Sequence, residues 1–488
     1  MNVFIELLKL ADQGYMPATA YDTAWIARLG DLDYEISNRA LDWISGHQLA
    51  DGSWGTNDLN NYYDRIICTL SAMIALTYRG RRVSDRRQIE RGINALEAIA
   101  DQAQNILKQN PNGATVGFEL IVPTLILEAG RLNLISRNGN PILAQLEAKR
   151  TKKLAAMGGA RISRSVTAAF SAEMAGEDHL DILDLANLRE ENGSVAHSPS
   201  ATAYLARVTN STDGLLTYLR KTLTEDGGAP NVAPFDVFER GWVLWNLALT
   251  SPQEEEILLA CQPHLDFLER SWTRGAGIGW AAGYTPKDGD DTGLIAEVLA
   301  RFGRNVDLDA LYAYEEEEWF RCFAFEANPS ISANIHLLSA LRHTGHPVEH
   351  QAVQKILNFL RVNRTSAGFW EDKWHVSPYY ASAHAVIACA GYASSLVQKT
   401  VDWMVASQRE DGGWGLNQAT AEETAYALQA LIFWQNESCG SHAETISRGY
   451  HWLAQHLEPP FPALWIGKCL YAPELVIRSA IHSALALN

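Results

Sequence analysis

Long apolar runs, paired cysteines and an excess of basic charge are all missing from this 488-residue chain. No run of 18 apolar residues occurs, so hydropathy gives no transmembrane segment. Near the start, Phe4, Ile5, Leu7 and Leu8 are interrupted by Glu6, Lys9 and Asp12, which fits neither a signal peptide nor a span. Cys68, Cys261, Cys322, Cys389, Cys439 and Cys469 form no Cys-x-x-Cys pair. A zinc ribbon or disulfide scaffold is excluded, and the thiols read as buried and reduced in a cytoplasmic protein. Net charge is −17, which excludes nucleic acid as the main partner and still permits a local basic pocket.

Alternating strands are also scarce. Helical periodicity instead runs through Arg65 to Tyr78, Ile89 to Ile106, Ser200 to Thr209, Pro234 to Leu249, Ala333 to Thr344 and Glu422 to Trp434, broken by Gly, Pro or Asn. The expected fold is all-α. A chain of this length exceeds one ordinary core, so two or three domains are expected.

A repeat organises the helices. Gln48-Leu49-Ala50-Asp51-Gly52-Ser53-Trp54 matches Gln408-Arg409-Glu410-Asp411-Gly412-Gly413-Trp414, and Glu225-Asp226-Gly227-Gly228 is a weaker relative. Gln and Asp can bond free backbone groups at helix ends while Trp packs on the next helix, which makes a clamp between helix pairs. Two distant copies suit stacked pairs in a solenoid or in two α/α barrels.

The run Asp288-Gly289-Asp290-Asp291-Thr292 carries the chemistry. Its other readings are a solvated turn, a helix cap or a calcium loop. Leu299 stands where an EF-hand needs its bidentate Glu. Leu294, Ile295, Val298, Leu299 and Phe302 recur at helical spacing, so the acids sit at the mouth of a buried helix. There, desolvation and mutual repulsion can hold a carboxyl protonated against the helix dipole.

At these residues the chain resembles bacterial class II diterpene cyclases. The repeats are similar to that superfamily's QW motifs and the acid run to its DxDD motif. Further similar segments are Tyr21-Asp22-Thr23-Ala24-Trp25, Gly117-Phe118-Glu119, Ser198-Pro199-Ser200-Ala201-Thr202-Ala203, Pro230-Asn231-Val232, Gly277-Ile278-Gly279-Trp280, Asp372-Lys373-Trp374-His375, Ser377-Pro378-Tyr379-Tyr380 and Trp465-Ile466-Gly467-Lys468. The resemblance implies two α/α barrels. Residues 1–15 would be the first helix of the β domain, 16–215 an inserted γ domain, and 216–488 the rest of β. It implies protonation of geranylgeranyl diphosphate and cyclisation to a bicyclic diphosphate, with Mg2+ as cofactor.

By the same resemblance, Asp290 is the acid, tuned by Asp288 and Asp291 and oriented by Asn334. Trp280, Trp370, Trp374, Tyr379 and Trp414 are candidate cation-facing aromatics, Trp280 and Tyr379 foremost. Glu119 would hold magnesium, and Lys373, Lys468, Arg478 and the pair Lys152-Lys153 would meet the diphosphate. Asn231 matches half of a His–Asn pair that holds a water in plant ent-copalyl enzymes, and Ile162 stands near the missing His. That favours a rearranged product of halimadienyl or kolavenyl type. There is neither an Asp-Asp-x-x-Asp motif nor length for a third helical domain, so a separate class I synthase or diphosphate-removing enzyme would take the product. Alternatives are a drimenyl diphosphate synthase on farnesyl diphosphate, a squalene cyclase, an α/α-barrel glycoside hydrolase and a non-enzymatic helical scaffold.

Overall fold

The computed structural model describes residues 3–11, 16–57, 61–109, 114–135, 141–156, 159, 161–324, 326, 328–438 and 442–487. Each segment with helical periodicity falls on a helix to within two residues at its ends. After α1 (Val3–Ala11) and a two-residue strand β1 (Ala18–Thr19) come α2 (Ala20–Ala27), α3 (Tyr34–Gly46), α4 (Tyr62–Arg79), α5 (Val83–Gln109), α6 (Phe118–Arg131) and α7 (Pro141–Ala156). A 3-10 segment (Thr167–Ala175), α8 (Pro199–Thr209) and α9 (Leu215–Thr222) follow. Helix α2 packs on α4 and α8, α4 on α6, and α6 and α8 on the 3-10 segment, so five inner segments close a ring. Helices α3, α5, α7 and α9 pack outside it. Helix α9, which begins at the position expected as the boundary, packs on α8. Strand β2 (Ala229–Pro230) then returns to pair antiparallel with β1.

The second ring contains α10 (Asp236–Leu249), α11 (Glu255–Ser271), α12 (Gly289–Arg301), α13 (Leu308–Tyr312), α14 (Ile331–His343), α15 (Gln351–Asn363) and α16 (Pro378–Cys389). It continues through α17 (Ser394–Ala406), α18 (Ala421–Ser438), α19 (Ala443–Leu453), the hairpin β3 (Trp465–Ile466) and β4 (Leu470–Tyr471), and α20 (Glu474–Ala486). The even-numbered helices α10 to α20 contact one another in order, and α20 returns to α10, closing a six-helix inner barrel. Helix α1, from the other end of the chain, packs on α10, α11 and α20. Its Phe4, Ile5, Leu7, Leu8 and Ala11 are buried there.

The clamps hold successive helix pairs. Trp54 and Trp414 are fully buried, and each indole donates to a carbonyl ten residues back, Ile44 or Met404, at 2.8 Å. Gln48 and Gln408 each donate to the following clamp glycine's carbonyl and to an outer-helix carbonyl. Gly52 and Gly412 have φ of +92° and +99°, and a Cβ there would lie 2.6 or 2.8 Å from the carbonyl oxygen of Arg91 or Arg448. A third copy, Thr365 to Trp370, kept only the glycine and the tryptophan and was not legible as a repeat. Its indole also donates ten residues back, to Leu360 at 2.8 Å. Trp370 and Trp414 are thus clamp residues and do not face a ligand.

The clamp's backbone amide also has a fixed acceptor on the next inner helix. Trp54 donates to Thr69, Ile278 to Thr292, Trp370 to Ser382 and Trp414 to Thr424. In the Phe320 loop the acceptor is the side chain of Asn334, at 2.9 Å.

The β3–β4 hairpin ties the rings together. Val116 donates to the Gly467 carbonyl and Leu470 to Asp64. The Lys468 ammonium is fully buried and donates to Glu173 (2.6 Å), Ser198 and Ser200 (2.7 Å each). Replacing Lys468 by Met leaves Glu173 a buried charge without its cation, an expected loss of about 3–5 kcal/mol of stability. The thermal transition measured by circular dichroism should fall, and a second change, Glu173→Gln, should restore part of the loss.

Candidate active site

The acid run is held by the clamp architecture. Asp288 is the N-cap of α12, accepting from the Asp291 amide at 2.8 Å, and its other oxygen meets no donor among the described residues. The helix then rotates Asp290 toward α14. Its Oδ1 lies 2.6 Å from His336 Nδ1, and its Oδ2 accepts from the Ser332 hydroxyl at 3.0 Å. Ser332 and His336 are four residues apart, on one face of α14. Asn334 lies between them and faces the other way. Its amide also donates to the carbonyls of Phe320 (2.9 Å) and Ser330 (2.8 Å). The place beside Asp290 expected for Asn334 is occupied by His336 and Ser332, and Asn334 is bonded within the clamp instead.

Burial pushes the Asp288 carboxyl up to about 7, against the Asp291 amide bond, and the Asp290 charge adds to the rise. Burial, then the charges of Asp288 and Asp290, raise Asp291 well above the usual carboxylate range. Both effects favour neutral carboxyl groups. An unfolded Asp releases its proton near pH 4, so between about pH 4 and 7 the folded chain keeps a proton that the unfolded chain has lost. This group's contribution to stability therefore falls as pH rises through that window. Above about pH 7 an ionised Asp288 opposes proton release by its neighbour, and turnover should fall about tenfold per pH unit. Asp288→Asn keeps the cap, and its residual turnover should lack this alkaline limb in a pH–rate profile.

Asp290 opens into a cavity of about 290 Å³ between the rings. Phe170, Phe235, Phe238, Trp242, Trp280, Phe323, Trp374, Tyr380, Trp465 and Tyr471 line it. Trp280 stacks on Tyr284 with centroids 3.8 Å apart and meets Phe170 edge-on. Tyr379 is not at the wall, since it stacks outside on Trp403. Its neighbour Tyr380 takes the place, one helical step of about 100° away. A wider cleft of about 1630 Å³ lies across the hairpin and touches none of the three acids of the run.

Cations are few at the cavity. Lys153, not Lys152, lines it among the described residues, and Lys153 pairs with Glu119. Lys373 pairs with Glu326, donates to the Asn328 carbonyl and lies 4.9 Å from the Trp374 ring centroid. Lys468 is held in the cluster already described. Arg478 pairs with Glu474 on α20 at 3.7 Å and does not line the cavity. Asn231 does line it, bonded to Asp22 at 2.8 Å and to the Lys468 amide at 3.2 Å. Ile162 is buried and bridges to Leu183, away from the wall. Cys68, Cys261, Cys322, Cys389 and Cys469 are free and buried, and Cys439 lies outside the described residues.

Among the described residues, one group of three potential metal ligands lies close together: Asp64, Cys68 and Cys469. None of the three lines the cavity at the acid run, and Asp64 already accepts from the amides of Thr56 (2.7 Å) and Leu470 (2.9 Å). Glu119 stands by itself with Lys153, without a preformed cage of three ligands around it among the described residues.

A hydrogen-bonded carboxyl at an aromatic-lined chamber can protonate a very weak base, and the ring faces can then hold the resulting cation. The comparisons agree with this chemistry. Residues 324–461 match the squalene-hopene cyclase C-terminal domain. Over 495 aligned positions, spanning 100% of this chain and 99% of the relative, the sequence is 44% identical to a Type B diterpene cyclase of Mycobacterium tuberculosis. The chain belongs to the class II diterpene cyclases. The solved ent-copalyl diphosphate synthase from Streptomyces platensis is similar to this cyclase along 99% of the chain and 98% of its own, with a TM-score of 0.81 and 29% identity. Ent-copalyl diphosphate synthase 1 of Oryza sativa subsp. japonica is 31% identical over 78% of the chain and 45% of that protein.

In this diterpene cyclase the Ser332 hydroxyl, and His336 when its ring proton is on Nδ1, can donate to the two Asp290 oxygens and would stabilise a carboxylate there. Each Asp290 oxygen keeps a second lone pair, so a proton can still face the cavity. No helix among the described residues is long and apolar enough to cross a membrane.

Proposed function

We propose that this diterpene cyclase converts geranylgeranyl diphosphate into a bicyclic diterpenyl diphosphate of rearranged, halimadienyl or kolavenyl type. Asp290 gives its proton to the terminal alkene, and ring closure places positive charge among Trp242, Trp280, Trp465 and Tyr380. The diphosphate is retained at the mouth beside Lys153. The single observation that carries the rearrangement is the setting of Asn231. Among the described residues its side-chain amide is bonded to Asp22, Cys469 and the Lys468 backbone amide, and not to a histidine. A cation that meets no base early undergoes hydride and methyl shifts before it loses a proton. Full-length similarity to a diterpene cyclase supports the C20 chain length.

Glu119 would hold magnesium together with substrate phosphates and water, the ligand set this metal ordinarily takes. When bound, the metal would neutralise part of the diphosphate charge. A separate class I enzyme or phosphatase would consume the product.

The test is incubation with magnesium and either geranylgeranyl or farnesyl diphosphate, then dephosphorylation and gas chromatography–mass spectrometry. A rearranged bicyclic C20 alcohol is expected. An unrearranged labdane skeleton would overturn the rearrangement, and a drimane from farnesyl diphosphate alone would overturn the chain length.

A further inference from the structure

Behind the aromatic wall lies a carboxylate that the chemistry above does not use. Glu422 is in the first turn of α18, pointing into the second barrel, and is 1% exposed. Its Oε1 accepts from the indole N–H of Trp465 at 2.7 Å and from the Tyr426 hydroxyl at 3.0 Å. His375 Nε2 stands 3.4 Å from the same oxygen. Because His375 Nδ1 accepts from the Ser377 amide at 3.1 Å, the ring proton belongs on Nε2 and points at Glu422. An acceptor-only carboxylate is the form that takes three donors on one oxygen. Among the described residues Glu422 forms no ion pair with Lys or Arg, and its Oε2 meets no donor.

The neighbouring Glu423 shows what a purely structural acid looks like here. Its two oxygens accept from Ser377, Thr420 and the Leu416 amide, fastening a loop to the helix. Glu422 fastens instead the aromatic residues of the cavity wall. Trp465 lines the cavity and meets Phe238, Trp242 and Tyr380 edge-on at 5.0–5.7 Å. His375 stacks on the lining Tyr380 at 4.9 Å. A glutamine could serve as a neutral acceptor, without the desolvation cost of burying a charge. A carboxylate differs in two respects. It pushes electron density into the indole that donates to it, and it lowers the energy of positive charge nearby in a medium of low dielectric.

We propose that Glu422 is a positioning residue of the cyclase, placing negative charge behind Trp465 and so strengthening that ring's hold on the carbocation in the cavity. The unfavourable burial in the resting enzyme is offset when positive charge develops, which is the differential stabilisation that catalysis requires. The inference rests on a cation forming in this cavity and not on the length or final skeleton of the substrate.

The test compares Glu422→Gln with wild type, using two inhibitors built on the chain length that wild type cyclises. One carries a protonated amine in place of a cationic carbon, and the other is its neutral carbon isostere. We expect the amine to bind the variant at least about tenfold more weakly, with the isostere changed less than about twofold. Equal weakening of both inhibitors, or of neither, would overturn the proposal. Should Glu422→Gln fail to fold by circular dichroism, Trp465→Phe removes the indole donor and must lower the same amine-to-isostere preference. An unchanged preference there would also overturn it.

Discussion

Asp290→Asn should lower turnover by about 10⁴-fold or more while leaving the protein folded. An alkene has no lone pair, so protonating it needs an acid whose conjugate base is stabilised on the spot, and a neutral amide cannot supply the proton. The fold should survive because Asp290 is not the helix cap. That is Asp288, whose bond to the Asp291 amide is untouched. The substituted amide still meets the Ser332 hydroxyl and His336 Nδ1. The measurement is bicyclic product per unit time by gas chromatography–mass spectrometry, beside thermal melting. Turnover within tenfold of wild type would remove Asp290 from its role.

His336→Phe should reduce kcat by about 10²-fold, with KM within a few-fold of wild type. With Asp290 as the proposed acid and the ring proton on His336 Nδ1, it removes a donor aimed at the charge that would appear on Asp290 during proton transfer, an interaction strongest in the transition state. His336 is 2% exposed and lies edge-on to Trp242 at 5.4 Å, so a phenyl ring of similar size can occupy the site. Asn334→Ala gives the opposite pattern. It leaves the Phe320 backbone amide and carbonyl without partners, and should cost about 1–3 kcal/mol of stability with kcat of the folded enzyme near wild type. Steady-state kinetics and melting of the two variants separate the roles. A larger kcat loss in Asn334→Ala than in His336→Phe would reverse the assignment.

Much of this protein is legible from its chain alone. Apolar positions at helical spacing decide the all-α class, since period 3.6 places them on one face of each helix. The Gln-x-x-Asp-Gly-x-Trp clamps announce stacked helix pairs because each residue satisfies a local backbone group. The acid run is visible because three carboxyl groups beside apolar sequence are costly without a purpose. What the chain did not reveal is which of two neighbours faces the cavity. Lys153 and not Lys152 reaches it, and Tyr380 and not Tyr379, while Asp290 meets His336 and Ser332 and not Asn334. Adjacent helical residues differ by about 100° in direction, and residues two apart by about 200°. Motif position cannot resolve that rotation. It is set by how each inner helix packs in its ring. Lys468 shows the same limit at longer range. As a lysine in a loop it read as a phosphate ligand, yet ring-to-ring packing brings Glu173, Ser198 and Ser200 around it from nearly 300 residues earlier in the chain. Local periodicity and composition determined the elements and the chemistry available to them. The orientation of each side chain, and thus the membership of the site, was decided only when two closed rings packed against one hairpin.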